Sequence, residues 1–237
     1  MRIEGKNLKK VSSKRNILES IDISIASNTI YGLLGPNGAG KTSLFSILAG
    51  LSKPSEGEVL YDSKIVNNLS FENRSELGVI YLPQEPSVFR ELTVEENIKA
   101  ALEAKKYDKR EIENKLSQIS EEFDLMSIKT QKCNSLSGGQ RRRVEIARAI
   151  ALNPKFILLD EPFAGIDPLI INEIKTLIKN LKEKGIGVLI SDHNVNATLD
   201  ICDYIYVINA GKVIAQGIPN EIVQNEIVRK VYLGEVT

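Results

Sequence analysis

The stretch "TIYGLLGPNGAGKTSLFSILAG", residues 29–50, leaves little freedom in how this chain can fold. An apolar run of strand character feeds directly into a glycine-rich loop, and helical spacing follows the loop. The loop itself, "GPNGAGKT" at residues 35–42, fits G-x-x-x-x-G-K-[ST] at every position. Glycines at 35, 38 and 40 let the backbone wrap closely around phosphate oxygens, where a Cβ would stand in the way. Successive N–H groups then point inward as an anion nest, and a helix starting near Lys41 aims its positive end at the same place. Lys41 is expected to reach the β- and γ-phosphates, and the Thr42 hydroxyl to complete a Mg²⁺ shell. The phosphate cradle thus comprises Gly35, Pro36, Asn37, Gly38, Ala39, Gly40, Lys41, Thr42 and Ser43.

The rest of the chain alternates in character. Short strand-like runs ("RIEGKNL", "IDISI", "EVLYD", "ELGVIYLPQ") flank the loop. From about Thr93 to Ala151 the segments are long, charged and amphipathic, as in "VEENIKAALEAKK" and "KREIENKLSQISEEF". A second α/β stretch follows, with "KFILLDE" and "IGVLIS" as strands around the helix "PLIINEIKTLIKNLKEKG". "YIYVINAGKVIAQG" reads as a hairpin turning at Asn-Ala-Gly. The expectation is one α/β domain over 1–237. Residues 1–84 and 152–237 form the core, and a helical insertion occupies 85–151.

The second strand supplies a carboxylate pair. In "KFILLDE" four apolar residues bury the strand and Asp160 emerges at its end, where such an Asp holds Mg²⁺ in phosphate-loop enzymes. Glu161 follows and can face another side, well placed to polarise an attacking water. His193, in "GVLISDHNV", is the only histidine of the chain and also follows an apolar run. Read alone, it fits a core histidine at a strand end better than a functional one.

Bulk numbers exclude several classes. The 237 residues carry 31 basic and 31 acidic side chains, so no basic footprint argues for nucleic acid. Cys133 and Cys202 form no CxxC or Cys/His cluster, which points to a reducing, cytoplasmic compartment. "MRIEGKNLKK" has no apolar run of a signal peptide, and no stretch nears the roughly 18 apolar residues of a spanning helix. Work at a membrane would require a partner to carry the chain there.

"LSGGQ", residues 136–140, resembles the signature of ATP-binding cassette (ABC) ATPases. It opens a helix, "QRRRVEIARAIA", with Val144, Ala147 and Ala151 on one apolar face. A helix start with Ser137 again offers N–H groups and a hydroxyl to an anion. The resemblance spans essentially the whole chain. It implies a P-loop ABC fold: a RecA-like core, an N-terminal antiparallel β subdomain and an inserted α-helical subdomain. It further implies a head-to-tail homodimer around two Mg-ATP, in which Ser137, Gly138, Gly139 and Gln140 cap the γ-phosphate held by the partner. Gln84 in "YLPQE" matches the glutamine that senses Mg²⁺ and the attacking water. Asp167 in "AGID" matches the loop that crosses to the partner, and His193 the switch histidine at the γ-phosphate. Glu161, His193, Gln84 and Lys41 become the catalytic set, with Thr42, Gln84 and Asp160 at the metal.

One departure stands out. The family usually places an aromatic residue about 25 positions before the phosphate loop, stacked on adenine. Here "KKVSSKRN" has none; Val11 or Ser12 takes the place, with Arg15 nearby, and weak discrimination between bases follows.

At finer grain, "YLPQEPSVFRELTVEENI", "DEPFAGIDP" and "VRKVYLGE" are similar to the ATPase subunits of lipopolysaccharide export systems. That implies two permease subunits as partners, a location on the cytoplasmic face of the inner membrane, and membrane contact only through those partners. Phe89 and Arg90 would lie in the groove that receives a permease coupling helix, an aromatic beside an arginine being suited to a protein hot spot. Ordinary loop packing is the alternative for Phe89. Branched-chain amino-acid importer ATPases share much of this pattern, and soluble ABC proteins share the core motifs. The arginine run Arg141–Arg143 reads as a solvated or interface face of the signature helix.

Overall fold

The computed structural model describes residues 1–12 and 15–233. Two sheets organise it. A six-stranded sheet, order β10-β9-β3-β8-β7-β6, carries the segments that flank the motifs. Its members are β3 (Ile30–Leu34), β6 (Val79–Leu82), β7 (Phe156–Asp160), β8 (Gly187–Ser191), β9 (Tyr204–Asn209) and β10 (Lys212–Gly217). All pairings are parallel except β9 with β10. Every residue of β7 and β8 is buried, which is why both read as continuous apolar runs rather than alternating ones. The β9–β10 turn has positive φ at Ala210 and Gly211, the signature of a two-residue type I′ hairpin.

The second sheet is antiparallel, order β2-β1-β4-β5. It comprises β1 (Arg2–Ser12), β2 (Arg15–Ala26), β4 (Glu56–Tyr61) and the short β5 (Lys64–Ile65). Its apolar face packs with α1 (Lys41–Ala49) and one face of the parallel sheet in one cluster that includes Ile3, Ile21, Phe45, Leu158 and Tyr206. The opposite face of the parallel sheet joins the helices in a second cluster, from Ile98 and Phe123 through Val144 to Ile157 and Ile190.

The helices start where local chemistry dictates. After α2 (Phe71–Glu76), capping boxes open α3 (Val94–Ala104) at Thr93/Glu96, α4 (Lys109–Glu122) at Asp108/Glu111 and α5 (Gly138–Ala151) at Ser137/Gln140. Pro168 at the first turn and Asp167 as cap begin α6 (Pro168–Glu183), and Asn194 caps α7 (Val195–Leu199). Helices begin at Val94, so residues 85–93 enter the helical region as turns.

Sequence reading gave no hint of Arg74, which is completely buried. Its Nη1 donates to the carbonyls of Ile47 (2.8 Å) and Leu48 (3.0 Å), and Nη2 to Val66 (2.8 Å). It satisfies carbonyls at the end of α1 and places its charge at the negative end of that helix. Arg74→Met would strand these acceptors; we expect about 3 kcal/mol of lost stability, read from urea unfolding of both proteins.

Candidate nucleotide site

Strand order brings the motifs together. β3, β8 and β7 are adjacent and parallel, so the phosphate loop, His193 and Asp160/Glu161 all leave the same carboxyl edge of the sheet, the usual place for ligands in open α/β folds.

The helix α1 begins at Lys41 with Gly40 at its cap, and no side chain caps its first N–H groups. Those amides are the free donors an anion needs. Lys41 is buried and bends over the loop, with Nζ donating to the carbonyls of Gly35 (2.7 Å) and Pro36 (3.1 Å). Burial lowers its pKa, against the opposing pull of the Glu161 and Asp160 carboxylates. The glycines serve a different purpose from the one the motif suggests. A Cβ at Gly35 would stand 2.0 Å from the Ile208 carbonyl oxygen, and one at Gly40 would stand 2.8 Å from that of Ile17. Both keep protein backbone apart from protein backbone. Of the three loop glycines, only Gly38 would place a Cβ in open space.

Asp160 ends β7, buried, and accepts from the Tyr81 hydroxyl (3.2 Å). Burial raises its pKa most; the Tyr81 hydrogen bond opposes that, and the Glu161 charge adds to it. Burial likewise raises the Tyr81 phenol. Glu161 turns the other way because its backbone is left-handed, φ 49°. That conformation costs about 1–2 kcal/mol in a non-glycine residue and is held by the Glu161 N–H bond to the Ser191 carbonyl (2.6 Å). The carboxylate, mostly buried, meets the imidazole of His193: Oε1 and Nε2 are 2.6 Å apart. His193 is half exposed, so it is no core histidine.

Asp192, buried next to His193, escaped the sequence reading. It accepts from the Phe163 N–H and the Asn194 N–H, both 2.8 Å, and so ties the turn after Glu161 to the turn carrying His193. Burial raises its pKa, and those two amides pull it back. The "SDHN" run, an Asp two residues before a polar cap, was the available signal.

The signature segment lies across a cleft of about 220 Å³, lined by Gln84, Gly138, Arg142, Glu145, Glu161 and Gly165 among others. Gln84 and Ser137 are exposed. The Gln140 side chain is engaged in its own helix cap: it accepts from the Ser137 N–H at 3.0 Å. Asp167 accepts from the Leu169 N–H (2.9 Å) at the start of α6. The arginine run is not a solvated face. Arg142 is buried against Glu145, and Arg143 pairs with Asp124 and Glu173.

Beyond Gln84 lies a second hollow, an apolar groove of about 690 Å³ lined by residues that include Leu51, Phe71, Leu82, Ser87, Phe89 and Arg148. Phe89 is exposed, with the Arg148 guanidinium 5.3 Å from its ring centre. Arg90 is exposed next to Phe89 but does not line the groove, and its carbonyl accepts from the Asn134 N–H. Val11, Ser12 and Arg15 are all exposed on the β1–β2 hairpin; Ser13 and Lys14 lie outside the described residues, as do Gly234–Thr237 of the C-terminal "VYLGEVT".

A phosphate cradle, a strand-end carboxylate pair, a paired histidine and a serine-capped signature helix define an ATP-binding cassette. The ABC transporter family profile matches residues 18–164, and the chain belongs to that family, whose ATP-binding subunits are ATP hydrolases. A further profile, "Branched-chain amino acid ATP-binding cassette transporter", matches residues 212–236. The chain is 47% identical to the lipopolysaccharide export system ATP-binding protein LptB of Haemophilus influenzae, over 98% of this chain and 97% of that one. It is 45% identical to LptB of Escherichia coli K12, with the same coverage. Among solved structures, a nucleotide-free ATP-binding cassette from an ABC transporter superposes with TM-score 0.89 at 30% identity, covering 99% and 100% of the two chains. A dimeric bacterial ABC transporter cassette gives 0.81 at 28%, covering 92% and 98%. The architecture is therefore the ABC cassette fold, with α3–α5 as its helical part.

Proposed function

We propose that this chain powers lipopolysaccharide export as a homodimer bound to two permease subunits on the cytoplasmic face of the inner membrane. The observation that carries this reading is the 45–47% identity to LptB proteins over nearly their full lengths. Among the described residues no helix is long and apolar enough to cross a membrane; in this reading the membrane passage belongs to the permease subunits. The groove at Phe89 has the apolar lining that a permease helix would bury. Leu169, 84% exposed beside Asp167, has the exposure expected of a surface that a second copy covers.

The placements above support a division of labour. Lys41 and the free amides of α1 would bind the β- and γ-phosphates, and His193 would hold the γ-phosphate. Glu161 would take the proton of the attacking water. Ser137, Gly138, Gly139 and Gln140, with Asp167, would complete the partner's site. Asp160 and the Thr42 hydroxyl are hard oxygen donors of the kind Mg²⁺ prefers, and Gln84 would join them. When bound, Mg²⁺ neutralises charge on the phosphate oxygens. The core at 1–84 and 152–237 and the helical part at 85–151 would move relative to one another within one domain.

With no aromatic at Val11 or Ser12, GTP should compete with ATP within about tenfold in equilibrium binding, the loss of roughly one stacking contact. A preference for ATP well beyond that would contradict the expectation.

The decisive experiment is a pulldown of the tagged chain from gently solubilised native membranes. Recovery of lipopolysaccharide-export permeases supports the reading. The profile match at 212–236 favours a second one, amino-acid import, and importer permeases in the pulldown would replace the cargo while leaving the ATPase intact.

A further inference from the structure

The wall between the catalytic cleft and the apolar groove is tied to α5 by Arg148 and, at its backbone, by Glu145. Its Oε1 accepts from the Ser87 N–H at 2.6 Å, and its Oε2 accepts from Arg142 Nη1 at 2.8 Å. The Glu145 and Arg142 side chains are only 4% and 6% exposed. Both line the cleft that also holds Gln84 and Glu161, whereas Ser87 lines the groove. One turn further along α5, Arg148 Nη2 donates to Ser87 Oγ at 2.7 Å. Ser87 therefore hangs from two side chains of the helix whose N-terminus is Ser137.

A buried ion pair kept only for folding can usually be exchanged for apolar residues of similar volume without loss. Glu145 has a second task that an apolar residue cannot perform, since the Ser87 amide it satisfies belongs to a different segment. We infer that Glu145 is a positioning residue that carries displacement of the groove wall to the signature helix. α5 is continuous from Gly138 to Ala151, so a shift of Ser87 by a helix seated in the groove moves Ser137–Gly139 with it. Glu145 does this through Ser87, without touching nucleotide. The inference rests on the reading of the groove as a permease site.

The test compares two double variants, Arg142→Met/Glu145→Leu and Arg142→Met/Glu145→Gln. Both lose the buried pair without stranding a charge. They differ at position 145 in polarity: glutamine keeps an acceptor for the Ser87 N–H, and leucine offers none. ATP hydrolysis is measured for the cassette alone and for its complex with the co-purifying permeases. We expect the glutamine variant to keep permease-dependent stimulation within about twofold of the parent. The leucine variant should lose at least about fivefold in the kcat of the complex, the scale of one lost hydrogen bond, with KM for ATP equal in the two. The two isolated cassettes should hydrolyse ATP at the same rate. Equal stimulation in both variants overturns the inference, and so does an equal deficit of the leucine variant with and without permeases, which would mark a folding role. Failure to recover any permease removes the reading on which it rests. Recovery of importer permeases with the glutamine–leucine difference intact overturns only the cargo.

Discussion

Glu161→Gln is expected to hydrolyse ATP at least about a hundredfold more slowly than the parent chain while binding ATP equally well. The amide is the same size as the carboxylate, so the left-handed backbone at 161 and the contact to His193 impose no new strain. What disappears is the group that takes the proton from water. Binding energy then goes undischarged, and two chains should stay closed on two ATP. Single-turnover phosphate release and size-exclusion chromatography with ATP check both halves. Turnover near the parent rate would take Glu161 out of that role and leave the dimer claim to stand or fall on its own.

Gly35→Ala is expected to abolish useful nucleotide binding by a different route. The added Cβ would lie 2.0 Å from the carbonyl oxygen of Ile208, a backbone atom of β9. Neither side can yield cheaply, because β3 and β9 are paired up to Leu34↔Val207, the residues just before Gly35 and Ile208. The loop must therefore shift, and Lys41, whose Nζ is bonded to the Gly35 carbonyl, shifts with it. A strain of about 3 kcal/mol corresponds to roughly a hundredfold in affinity, and part of it should surface as a lower melting temperature. Titration with a fluorescent ATP analogue and a thermal melt measure the two effects. An unchanged affinity would mean that the clash relaxes within the sheet.

The two predictions draw on different sources. The role of Glu161 was legible from "KFILLDE" beside the phosphate loop, yet its direction was not. Positive φ at a glutamate is set by the sharp exit from β7 and the bond to Ser191, a residue 30 positions away in sequence. The need for glycine at 35 was legible as well, but for another reason: the motif suggests room for phosphate, and the structure puts a neighbouring strand there. Asp192, Arg74 and Glu145 gave almost no signal, since each is a buried polar group with a partner distant in the chain: Phe163, Ile47 and Ser87 respectively. For the arginine run only the solvated reading fails, because a run of charges looks the same in sequence whether it faces water or the Glu145 and Glu173 carboxylates.

The sequence by itself determined the local machinery. Strand, loop and helix at 29–50, the serine-capped helix at 137, the type I′ hairpin and the apolar runs of the buried strands are each legible from residues close together in the chain. Local rules suffice there because capping, backbone freedom and hydrophobic period act over a few residues. Only the tertiary structure decided which ends of which strands lie side by side, and hence that His193 meets Glu161 and that Glu145 reaches Ser87. Those pairings depend on strand order and on helix packing against the sheet, and both are set by burial of apolar surface, which is non-directional and indifferent to separation along the chain.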